Sequence, residues 1–111
     1  MPRIVRIMEI TTSHPRRSAR GSRAALEIGE HLATWRKLQG LTAQQVADRA
    51  GVSRETLGKL ERGQGNVGMT VLLEVSRALG QLDRLVEALD PYETDLGRAR
   101  ADQALPKRVR S

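Results

Sequence analysis

The sequence predicts an all-α protein, a compact unit of five short helices with flexible basic arms at both ends. Three observations lead there. Apolar residues recur at helical spacing from about position 22 to position 90. Glycine, proline and small polar residues interrupt that pattern at intervals short enough for short helices. The charge, finally, is concentrated outside this stretch. Residues 1–23 carry six arginines against Glu9 alone, a net +5, whereas residues 24–90 carry −1 and residues 91–111 carry +2. A chain of 111 residues holds one domain with tails. The expected division is an arm over 1–21, the helical unit over 22–90 and a polar, basic tail over 91–111.

Residues Ile4–Ile10 are apolar and β-branched, which suggests a short strand that needs a partner, another subunit for instance. Thr11–Gly21 reads as a basic linker. The first helix is expected over Ser22–Leu38, with Ile28, Leu32 and Trp35 on its inner face. In the second, Thr42 and Gln45 form a capping box, and Val46, Ala47 and Ala50 make one apolar face. Gly51 stops it, Val52 plugs the corner and Ser53 caps a third helix, which turns Leu57 and Leu60 inward and ends at Gly63. A fourth helix is expected over Thr70–Leu79, burying Leu72, Val75 and Leu79, and a fifth over Leu82–Leu89, ended by Pro91. A weak helix over Asp95–Leu105 precedes the basic end.

Two short helices about a glycine turn are the layout of a DNA-binding helix-turn-helix, whose second helix enters the major groove. The exposed face of that helix would hold Arg54, Glu55, Thr56 and Lys59, side chains that reach base edges and phosphates. Positions one, two and six after the cap select Arg54, Glu55 and Lys59 as base readers. Arginine pairs bidentately with guanine and lysine approaches the same edge. Glu55 has two readings, an acceptor for a cytosine amino group or a complement to the helix dipole. Gly58 breaks the local rule, at a cost of about 1 kcal/mol against alanine. The arm arginines Arg16, Arg17, Arg20 and Arg23 would add phosphate contacts, or serve only as a solvated tail.

The composition also argues against other classes. Aromatic residues are 2% of the chain, Trp35 and Tyr92, too few for base-stacking recognition of single strands. There is no cysteine, and His14 and His31 stand alone, so no metal or cofactor is expected. No arrangement activates a nucleophile or pairs two carboxylates, which makes an enzyme a poor reading. The Gly-x-Gly at Gly63–Gly65 follows a helix rather than a strand, unlike a dinucleotide loop. No run is long enough to span a bilayer and the N-terminus does not resemble a signal peptide; a soluble cytoplasmic protein, nucleoid-associated when bound to DNA, is expected.

The chain resembles the lambda-repressor/Cro (XRE) type of helix-turn-helix regulator over Ile28–Leu89. The resemblance rests on I-G-x-x-L-x-x-W-R at Ile28–Arg36, Gly-Leu-Thr at Gly40–Thr42 and Ala-Gly-Val-Ser at Ala50–Ser53. Leu-Glu-Arg-Gly at Leu60–Gly63 and Leu-x-x-Val-x-x-Ala-Leu-Gly at Leu72–Gly80 complete it. It implies phosphate positioning by Ser53, Arg62, Gln64 and Asn66, and an internal ion pair between Arg36 and Glu61. Where the family often carries a phosphate-binding Gln, this chain has Ala43; Gln44 is a neighbour that does not substitute cleanly. The resemblance further implies a homodimeric repressor on a two-fold double-stranded operator. Leu82, Leu85, Val86 and Leu89 are candidates for the dimer contact, or else close the monomer's own core. A narrower similarity, GQGNVGMTVLLEVSRALG at Gly63–Gly80 with LDRLVEALDP and a Lys-Arg-Val-Arg end, points to HipB-like antitoxins and so to a kinase-fold toxin partner. The rival class is a protein-binding coactivator or bridging module that uses the same helix pair with little sequence-specific DNA binding.

Overall fold

The computed structural model describes residues 18–64 and 66–104, and they are all-α. Six helices follow one another: α1 (Ala19–Leu38), α2 (Ala43–Ala50), α3 (Arg54–Glu61), α4 (Met69–Ala78), α5 (Leu82–Ala88) and α6 (Asp95–Ala104), with a 3-10 turn at Pro91–Glu93 before the last. The strand expected over Ile4–Ile10 and the arginines Arg16 and Arg17 lie outside the described residues. None of the helices described is long and apolar enough to cross a membrane.

The core is one cluster, formed by Leu32 of α1, Val46, Ala47 and Ala50 of α2, Leu57 and Leu60 of α3, and Val75 and Leu79 at α4. Trp35, Leu41, Val52, Val71 and Leu72 pack around it, half-buried. Helix α3 lies at the centre, touching α1, α2 and α4. Two long-range hydrogen bonds tie helix ends together. The Gln39 amide donates to the Leu79 carbonyl at 2.8 Å, and the Arg77 guanidinium donates to the Arg49 carbonyl at 3.0 Å. Each satisfies a carbonyl that a helix end leaves without an intrahelical partner.

Several expectations need correction. Helix α1 begins three residues earlier than Ser22, because Ser18 is the cap: its hydroxyl accepts from the Gly21 N–H at 2.9 Å. The linker expected over Thr11–Gly21 therefore stops short of Ala19, and Arg20 and Arg23 ride on the first turns of a helix rather than on an arm. Ile28 is not an inner residue; it is 41% exposed, at the edge of a groove it shares with Leu60, Val67 and Leu72. Leu72 is half-buried rather than buried. Helix α4 is set one residue earlier than expected, with Gly68 as its N-cap. Leu89 is the C-cap of α5 rather than its last residue, whereas the helix expected over Asp95–Leu105 is present as α6, Asp95–Ala104.

Candidate nucleic-acid interface

The pair α2–α3 is assembled by local chemistry. The Thr42 hydroxyl accepts from the Gln45 N–H at 3.0 Å, and the Gln45 side chain accepts from the Thr42 N–H at 2.8 Å. Gly51 ends α2 at φ +72, a left-handed conformation in which only glycine is unstrained. Ser53 then caps α3. Its hydroxyl accepts from the Thr56 N–H at 3.0 Å and donates to the Thr56 hydroxyl at 2.8 Å. The Ser53 and Thr56 hydroxyls are thus engaged with each other at the head of α3.

Leu57 and Leu60 anchor α3 in the core, which fixes what its other side presents. Arg54 and Glu55 are exposed on the first turn, and Lys59 is half-buried on the second. Glu55 is the acid of that first turn, consistent with the dipole reading of its role. Arg62, the C-cap, sends its side chain back along the helix. A Cβ built on Gly58 would lie 2.9 Å from Arg62 Nη1, so the guanidinium rests where a side chain at 58 would be. Ala43, Arg54, Glu55, Gly58 and Arg62 line one open cleft between the start of α2 and α3. Gln44 is not part of it; its amide donates to the Asp48 carboxylate at 2.9 Å, along α2. Asn66 is exposed in the loop after α3. Gln64 borders a separate apolar groove with Ala25, Ile28, Val67, Met69 and Leu72.

What holds α3 against α1 is partly electrostatic. Arg36 Nε donates to Glu61 Oε2 at 2.8 Å and Nη2 to Oε1 at 3.1 Å, a two-pronged pair whose side chains are only 15% and 13% exposed. A third bond runs from Arg36 Nη1 to the Leu41 carbonyl at 3.3 Å. The Glu61 hydrogen bond, opposed by burial, raises the guanidinium above its ordinary pKa. The rest is steric. A Cβ on Gly29 would fall 2.6 Å from the Glu61 carbonyl oxygen and closer still to that of Leu60, and one on Gly63 would meet Leu26 Cα at 2.5 Å. Sequence reasoning missed both contacts. Its only signal was a glycine inside an amphipathic helix, where propensity disfavours it.

A helix-turn-helix family model matches residues 32–86, from the middle of α1 to α5. An uncharacterized HTH-type transcriptional regulator of Sinorhizobium fredii is 40% identical over 53 residues, which is 48% of this chain and 69% of that protein. The chain belongs to the XRE-type helix-turn-helix family. A second relative, an uncharacterized HTH-type transcriptional regulator of Methanothermobacter thermautotrophicus, is 39% identical over 54 residues, 49% of this chain and 72% of its own length. No solved structure matches the chain.

Proposed function

We propose that the chain is a sequence-specific, double-stranded DNA-binding transcription regulator, acting as a homodimeric repressor on a two-fold operator. One observation carries the reading. Leu57 and Leu60 bury one side of α3 at the end of a glycine turn, and the opposite side presents Arg54, Glu55 and Lys59. Such a helix reads base edges with the residues of its first turns, and two copies would enter major grooves about 34 Å apart. Dimerisation is supported by α5, where Val86 is 62% and Leu89 83% exposed although both are apolar. Leu82 and Leu85 of the same helix are half-buried.

The test is binding to the DNA upstream of its own gene, against a scrambled duplex of equal length at near-physiological salt. The upstream duplex should be held at least 1,000-fold more tightly, in the usual range for specific over non-specific binding. Arg54→Ala should relax preference at one operator position while leaving the others intact. Equal, salt-sensitive binding to both duplexes would instead favour the bridging-module reading. The similarity of Gly63–Gly80 to HipB-like antitoxins supports a second partner, a kinase-fold toxin. Leu96 on α6, 64% exposed and outside the family match, is apolar surface that DNA reading does not use. Co-purification with a toxin encoded beside the gene would support that role.

A further inference from the structure

Gly58 sits in the second turn of α3, where alanine would make a more stable helix. The structure supplies a reason for it. Positions 54, 58 and 62 fall four residues apart and so share one stripe of the helix. Long helical side chains lean toward the N-terminus, so Arg62 is directed over the turn that contains Gly58. Its Nη1, Cζ and Nη2 atoms lie 2.9, 3.6 and 3.7 Å from the place a Cβ at 58 would occupy. The guanidinium therefore lies along the helix, inside the cleft it shares with Arg54 and Ala43. Arg36, Arg77, Arg84 and Arg98 each donate to a protein acceptor. Among the described residues neither Arg54 nor Arg62 does, and the cleft's Glu55 is not within ion-pair distance of either. The cleft thus holds two guanidinium groups with donors to spare, beside a residue, Ala43, whose methyl has none.

We propose that Gly58 is a positioning residue, a berth in which Arg62 lies back along the reading helix to hold a phosphodiester of bound DNA beside Ala43. This rests on the DNA-binding reading above and assigns a specific contact within it. The guanidinium lies in the cleft beside Ala43, at the N-terminal end of α2, and helix N-termini are among the groups that contact phosphate oxygens rather than base edges. The donor absent at position 43 is supplied from the other helix of the pair. Bulk at 58 would lift the guanidinium out of the cleft, because the three atoms nearest a new Cβ all belong to the Arg62 side chain.

The experiment is a double-mutant cycle on the full chain, with the tightest duplex that the unaltered protein selects from a randomised pool. Arg62→Ala should weaken binding about tenfold, as expected for one charged hydrogen-bonded contact, and by the same factor on mismatched duplexes. It should also lower the slope of log affinity against log salt by about 0.9. Gly58→Ala should weaken binding in the same direction and Gly58→Gln more, while both raise the thermal midpoint through better helix propensity. Adding either to Arg62→Ala should cost nothing further. Unchanged affinity in Gly58→Gln, losses that multiply in the double variant, or a loss in Arg62→Ala confined to one base pair would each overturn the proposal. If the unaltered chain enriches no duplex, the regulator reading itself fails and takes this contact with it.

Discussion

Gly29 faces the carbonyl oxygens of Leu60 and Glu61 with no room for a methyl group. Those atoms are backbone, so a clash there cannot be relieved by turning a side chain; α1 and α3 must separate. Gly29→Ala is expected to cost about 3 kcal/mol, at the upper end of overpacking effects, although alanine favours the isolated helix. A urea titration followed by circular dichroism would check it, and a midpoint at or above that of the unaltered chain would refute the close approach. The nearby Arg36–Glu61 pair has a clear sign with pH. A folded-state pKa above the ordinary arginine value gives stability that is present below that value and is lost only when pH rises through the raised one. The guanidinium therefore contributes no pH dependence between pH 5 and 9.

At the scale of the element, α3 is held by its apolar side together with the Arg36–Glu61 pair and the close approach at Gly29. Leu57 is fully buried and central, so Leu57→Ala should lower unfolding free energy by about 3 kcal/mol. Such a loss would shift the urea midpoint with an unchanged m-value. Much of this element's setting was legible in the sequence because it is local. Thr42 with Gln45, Gly51 and Ser53 each act within three residues, and cap chemistry is written in such short patterns. The start of α1 was less legible for the same reason. Ser18 and Ser22 are both competent caps, and the choice falls to the one whose hydroxyl reaches a free N–H, that of Gly21. Ile28 shows a further limit: periodicity assigns it to a face, but only tertiary packing says whether anything covers that face. The base-reading candidates Arg54 and Glu55 could be named from the cap alone. The lie of Arg62 across Gly58 could not, since two residues four apart do not declare which yields space to the other.

For the molecule as a whole, apolar surface on α5 and unpaired charge on α3 ask for different partners. If α5 joins two copies, Leu89→Asp should weaken the dimer at least tenfold in sedimentation equilibrium. The same change should leave the monomer's unfolding midpoint nearly unaltered, because Leu89 is 83% exposed. An unchanged mass distribution would place the dimer contact elsewhere. The charge distribution was readable at this scale without any structure: a helical unit of net −1 between basic ends leaves affinity for a polyanion to individual placed side chains and to the ends themselves.

The close approach at Gly29 and Gly63 also sets a phase. Helix α1 is clamped against the end of α3 over Ala25–Gly29, and its first six residues run on from that clamp to Ala19. The bearing of α1 at Ala19 is therefore locked to the reading helix like a hand on a dial. One residue inserted between Ser22 and Ala24 would rotate that bearing by about 100° and advance it about 1.5 Å, with the α2–α3 pair untouched. Four would nearly restore the bearing, about 6 Å farther out. Any contribution of the arginines before Ser18 to binding would then rise and fall with the helical repeat, and a contribution indifferent to it would belong to a tail that acts through charge alone.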